Sequence, residues 1–122
     1  MSKKRNKGFS NSTLDKLWSK RVKEKANYKC EICGDKGVEA HHLIPRSSYN
    51  TRWYGPNGAC LCSECHQKNV WSAHKNPVYF FHCILLLRGE DWYNSLIQES
   101  LYDWRDKLNR IKKELQDEPN RK

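Results

Sequence analysis

Four cysteines stand in two pairs, Cys30-Glu-Ile-Cys33 and Cys62-Ser-Glu-Cys65, with 28 residues between the pairs. Each Cys-x-x-Cys places two sulfurs on one side of a tight turn. Two such turns supply the four thiolates of a tetrahedral structural zinc site. Disulfides are a competing reading, but they need an oxidising compartment. A redox Cys-x-x-Cys is another, but it calls for one pair in a thioredoxin-like βαβ setting, which this sequence lacks. Zinc is therefore the preferred reading. Cys60 and Cys83 fall outside both pairs and read as small buried hydrophobes, with Cys60 facing away from the zinc.

Three histidines lie inside or against this frame. His41 and His42 are neighbours in a short strand signal, so their side chains point to opposite faces unless the strand ends there. One can then hold a metal while the other faces a water. His66 follows Cys65 directly. A zinc that ties residues 30–33 to residues 62–65 fixes a framework holding His41 and His42 near His66.

His41-His42, then Asn57, then His66, enclosed by the two cysteine pairs, resembles the HNH endonuclease family with its ββα-metal fold, of the phage and bacterial type. The resemblance rests on Ala40-His-His-Leu-Ile-Pro-Arg-Ser47 and on the ending Asn57-x4-Cys62-x2-Cys65-His66. It covers residues 30–66 well and reaches loosely to residue 88. Thr51-Arg-Trp53 and Ser72-Ala-His-Lys-Asn-Pro77 share the flavour of related small nucleases.

The resemblance implies a metal-dependent DNA endonuclease. It puts His42 at the general-base position and His41 and His66 at the ligand positions of one catalytic divalent metal. It makes Asn57 the brace that orients His42. Imidazole ligands suit Ni²⁺, Zn²⁺ or Mn²⁺ better than Mg²⁺ on softness grounds, whereas relatives often work with Mg²⁺. One departure is Val70, which stands where some relatives carry a third histidine, one helical turn after the second ligand. His74 lies a further turn on; it is a substrate or metal contact, or an ordinary surface histidine. His82 reads as structural. Two alternatives stay open for the motif itself: His41 as a further zinc ligand, and His42 as a structural histidine.

Arg46 and Arg52, in the loop between the catalytic strands, and Lys68, on the following helix, are candidates to grip phosphates. Trp53 and Tyr54 either stack on bases or pack the core. No helix-turn-helix or tandem of fingers is present, so phosphate contacts should dominate, with weak sequence preference and strong salt dependence.

The elements that must position these groups read as follows. Residues 1–9 form a disordered basic arm. A helix starts near Ser12, where Ser12-Thr-Leu-Asp15 resembles a capping box, and carries Leu14, Leu17, Trp18 and Val22 at helical spacing. Strands follow at Val38–Ile44 and Ala59–Cys62, joined by a polar loop over 46–58 with turn chemistry at Gly55-Pro56-Asn57-Gly58. A helix runs from about Glu64 to Ala73, and another from Asn76-Pro77 to Arg88, stopped by Gly89. A last helix spans about Glu90–Gln116, with Ile97, Leu101, Trp104, Leu108, Ile111 and Leu115 in a seven-residue repeat that packs on its own domain or, alternatively, forms a dimer coiled coil. The fold class is α+β: a small zinc-stapled ββα-metal core flanked by an N-terminal helix and two C-terminal helices. The nuclease domain takes residues 10–88, and residues 89–122 add the C-terminal helix with a loose tail.

The chain has 122 residues, of which 37% are hydrophobic and 30% charged. That supports one domain with a modest core, which a staple would help to fold. The net charge is +9, and residues 1–30 hold ten Lys/Arg against Asp15 and Glu24, a net of +8. Such a local excess points to a polyanion, with DNA favoured over a membrane surface; the helix lysines Lys16, Lys20, Lys23 and Lys25 either follow a phosphate backbone or simply face solvent. The basic N-terminus lacks the apolar segment of a secretory signal, and the longest apolar run, Val78–Leu87, is too short to span a bilayer. A soluble cytoplasmic protein is expected, in the bacterial host if phage-encoded, as a monomer or weak homodimer, with a phage DNA-processing protein as a possible companion. The rival function is a non-catalytic zinc module that binds nucleic acid or protein. The two readings differ at His42, which only a nuclease needs.

Overall fold

Helix α1 (Asn11–Lys25) is capped by Ser10, whose hydroxyl accepts the Thr13 N–H at 3.1 Å. The expected cap at Ser12 is corrected by two residues, and its partner Asp15 is engaged elsewhere, by Arg52 and Trp53. Leu14, Trp18 and Val22 fall on one helical face and are buried, which drives α1 onto the rest of the chain. Asn27 and Tyr28 then adopt φ values of 56° and 57°. This left-handed pair swings the chain from the helix into the first cysteine turn. The structure is a computed structural model that describes residues 10–116; the expected basic arm at 1–9 and tail at 117–122 lie outside the described residues.

Strands β1 (Glu39–His42) and β2 (Gly58–Leu61) form an antiparallel ribbon in which Glu39 faces Leu61, Ala40 faces Cys60, His41 faces Ala59 and His42 faces Gly58. Alternation sends the two sides of this ribbon to two separate cores. Ala40 and Cys60 pack with Leu14, Trp18, Val22, Trp53, Ile111 and Leu115. Ala59 and Leu61 pack with Cys30, Cys65, Phe80 and Ile84. Gly58 is needed where α1 crosses the ribbon, because a Cβ there would stand 2.4 Å from Val22 Cγ2 and 2.7 Å from Trp18 Cζ2.

Three expectations about elements are corrected. The loop over 46–58 contains a short helix, α2 (Tyr49–Arg52), that the expected polar loop did not include, while the 3-10 turn at Gly55–Asn57 falls where turn chemistry is expected. The expected helix over 64–73 is only a π-helical turn, Glu64–Lys68, after which Ala73 N–H bonds back to the Cys65 carbonyl. Helix α3 (Pro77–Arg88) does end at Gly89, which has φ 95°. The long last helix is broken into α4 (Glu90–Ser100), a 3-10 turn (Trp104–Lys107) and α5 (Leu108–Gln116). Asn50 of α2 forces the break: its amide donates to the Ser100 carbonyl and its oxygen accepts the Trp104 N–H. Lys107 folds back onto the Glu99 carboxylate at 3.0 Å. The seven-residue repeat is therefore no coiled coil; Ile97 and Leu101 are exposed, while Ile111 and Leu115 are buried against α1. The result is a small α+β fold. Among the described residues, no helix is long and apolar enough to cross a membrane.

Candidate active site

The sulfurs of Cys30, Cys33, Cys62 and Cys65 all lie within 4.8 Å of one another. Cys33 and Cys62 sulfurs stand 3.7 Å apart, and all six cysteines are free. Four thiolates around zinc at about 2.3 Å leave sulfurs about 3.8 Å apart, so the donor set fits that ion. Backbone bonds hold the two turns together: Glu31 N–H donates to the Cys60 carbonyl and Val38 N–H to the Leu61 carbonyl. Gly34, at φ 82°, lets the first turn close with its N–H on the Cys30 carbonyl. Burial opposes ionisation of the Cys30 thiol, but backbone bonds at Cys33, Cys62 and Ile32 outweigh it and bring the thiol down to about 7. Cys60 lies on the other face of the ribbon, against Trp18. Strict alternation would place Cys62 with it, but β2 ends at Leu61 and the chain turns there.

On the ribbon face toward α3, His41, His66 and His74 gather, their ring nitrogens within 4.8 Å of one another. Ring centroids are 5.0 Å apart for His41 and His66, and 4.4 Å for His66 and His74. Phe80 of α3 packs edge-on against His41. His74 arrives by a route helical spacing did not foresee. The helix has already ended, and His74 N–H bonds to the His66 carbonyl at 3.0 Å as the chain doubles back. Val70, in the intervening turn, is 77% exposed. Burial, with the adjoining His66 and His74, pushes His41 down to about 3. Burial and His66 likewise lower His74. Neutral imidazoles with free lone pairs are the form that binds a metal.

Glu39, which the sequence reading missed, accepts from His66 Nδ1 at 2.5 Å. A carboxylate on one ring nitrogen fixes the tautomer and leaves Nε2 with the free lone pair. The signal was present: Glu39 and His41 are two apart on one strand and share a face.

His42 points to the opposite face. Its ring stacks on Trp18, with centroids 3.8 Å apart and planes 10° from parallel. Its Nε2 lies 2.9 Å from the Arg52 carbonyl. A carbonyl only accepts, so Nε2 carries the proton and Nδ1 keeps a lone pair. Burial, aided by the charges of Arg52 and Arg46, holds His42 below the ordinary histidine value. Asn57, fully buried, pins the surrounding loop. Its side chain accepts Ile44 N–H at 2.7 Å and donates to the Ile44 and Thr51 carbonyls.

This constellation has a counterpart among known families. Residues 30–70 match the HNH endonuclease family model. No curated protein and no solved structure matches the chain. The matched segment takes in both cysteine pairs, His41, His42, Asn57 and His66, and the match supports a nuclease-type function. His74 and α1 lie outside it, yet both reach its histidines.

The remaining substrate candidates in the matched segment differ in position. Arg46 is exposed beside His42, and Lys68 is exposed at the end of the π-helical turn. Arg52 is turned inward, with Nε and Nη2 on the two oxygens of Asp15 at 3.0 and 2.8 Å. Trp53 is buried, with its indole N–H on Asp15. Tyr54 gives its carbonyl to the Trp18 indole.

Proposed function

We propose that this chain is a metal-dependent endonuclease that hydrolyses DNA phosphodiester bonds. In this reading His42 is the general base, and His41 and His66 hold a catalytic divalent metal with His74 as a third ligand. Cys30, Cys33, Cys62 and Cys65 hold a structural zinc. The observation that carries the reading is the division of labour between adjacent residues. His41 joins a cluster of three imidazoles, while His42 is held by the Arg52 carbonyl with Nδ1 free.

A phosphodiester laid across β1 would meet both sides of the strand. His42 Nδ1 would take a proton from water as its oxygen attacks phosphorus, and the bond to the leaving 3′-oxygen breaks. When bound, the metal polarises the phosphate and stabilises negative charge on the leaving oxygen. Glu39 keeps the His66 ring oriented, and Asn57 fixes the loop whose Arg52 carbonyl sets the His42 tautomer. Arg46 and Lys68 are free to neutralise flanking phosphates, whereas Arg52 serves chiefly to position His42.

Nicking of supercoiled plasmid tests this, with zinc-loaded protein and Mg²⁺, Mn²⁺, Ni²⁺ or Zn²⁺ added. Wild type should cut with at least one metal and stop on chelation, and His42→Ala should lose roughly 10²–10⁴-fold, the usual contribution of a positioned base. A wild type inert with all four metals would return the chain to a non-catalytic zinc module. So would cleavage that His42→Ala leaves intact.

A further inference from the structure

A groove of about 370 Å³ runs along α1, lined by Asp15, Lys16, Ser19, Lys20, Lys23 and Tyr28. We infer that this groove is a track for the backbone phosphates of DNA next to the cut, resting on the nuclease reading for the choice of DNA as the polyanion.

Three features of the groove support the inference. The first is charge. Lys16, Lys20 and Lys23 recur at helical spacing and all line the groove. Its one acid, Asp15, has both oxygens bonded to Arg52 and one also to the Trp53 indole, so it is not presented as a bare anion. Glu24, next on the helix, is held by Arg21 at 2.8 Å and only loosely by Lys20 at 4.0 Å. The second is length. Seven residues of helix rise about 10 Å, which matches about three phosphates at 3.4 Å of duplex axis per strand. The third is continuity. The groove starts at Asp15, which grips Arg52, whose carbonyl holds His42; on the same helix Trp18 stacks on the His42 ring. A strand whose scissile phosphate sits at His42 would thus find the lysines within one helix length. Ser19 and Tyr28 add hydroxyl donors, and Tyr28 is 45% exposed at the far end.

The test is binding of a fluorescent duplex by anisotropy, in a His42→Ala background that keeps the DNA whole, between about 50 and 200 mM salt. Lys16→Gln/Lys20→Gln/Lys23→Gln is compared with Lys36→Gln/Arg105→Gln/Lys113→Gln, which removes the same charge elsewhere. Circular dichroism and zinc content verify that both fold. The groove triple should weaken binding roughly tenfold or more and flatten the log–log salt slope by about 2–3, since each neutralised phosphate contributes about 0.9. The control triple should move the slope by less than about 1. An unchanged slope in the groove triple, or equal losses in both triples, overturns the inference. Binding is read without turnover, so a protein that cuts nothing would sink the nuclease reading and leave this result standing. An active nuclease with an unaltered slope would sink the groove alone.

Discussion

His42 is held by the Arg52 carbonyl from α2 and by the Trp18 ring from α1, which lies outside the matched segment, with Asp15 tying the two helices through Arg52 and Trp53. Burial resists ionisation of Asp15, but hydrogen bonds from Arg52 and Trp53 overcome it and hold the carboxyl below its ordinary 3.8. A depressed carboxyl stabilises the fold above the unfolded value and loses that contribution as pH falls through the folded one. Asp15→Asn should therefore cost about 1.5–3 kcal/mol near pH 7, the range for a hydrogen bond to a charged group. The gap from wild type should stay constant down to about pH 5 and close below about pH 4. Urea midpoints at about pH 7, 5 and 3 measure it; a gap that persists undiminished at the lowest pH would assign the effect to packing instead. The ligand types were legible in the sequence because cysteine and histidine at these spacings serve few other purposes. Asp15 and Trp18 were not, because their partners lie 24 or more residues away and only the folded ribbon brings them together. Helical spacing points to His74, but the helix ends at Lys68 and a chain reversal delivers the ring instead.

The ribbon register pairs His42 with Gly58, and α1 rests on that glycine. Backbone freedom is not the issue there; Val22 and Trp18 occupy the space a side chain would need. Gly58→Ala should push α1 outward and lift Trp18 from the His42 ring. Overpacking of this kind costs about 1–3 kcal/mol, or roughly 5–15 °C in Tm for a chain of this size. Thermal melts and tryptophan emission would register both changes; a melt within about 1 °C of wild type would mean the helix accommodates the methyl freely. Elements with local punctuation were readable: α3 has proline at its start and a positive-φ glycine at its end. The break between α4 and α5 was not, because it is dictated by Asn50, which is 54 residues from Trp104 along the chain. The apolar spacing of α5 was sound, and only its continuity with α4 was wrong.

At the scale of the molecule, a ribbon of two four-residue strands separates two small cores, and each core would be marginal alone. The core toward α3 contains Cys30 and Cys65 themselves, with Cys62 against it. Zinc bound there would close the first cysteine turn onto the second and fix the two strands that carry His41 and His42. Arg88 reinforces the same junction, binding Glu31 in the first turn with two bonds of 2.6 Å and the Pro56 and Gly58 carbonyls at the start of β2. Structural zinc contributes on the order of 10 kcal/mol to folding in small domains, comparable to the whole stability of roughly 6–18 kcal/mol expected of a chain this long. Chelation strong enough to strip zinc should therefore unfold the protein at room temperature, and Cys62→Ser should fail to retain one zinc per chain. Cys60→Ala supplies the contrast: Cys60 is more deeply buried than Cys62 but faces α1, so the variant should keep its zinc and lose only about 1 kcal/mol, close to one buried group of methyl size. Far-ultraviolet dichroism with metal analysis distinguishes the cases. A stripped protein that melts cooperatively at the untreated temperature would show that the two cores hold the ribbon unaided, and the four sulfurs would need another explanation.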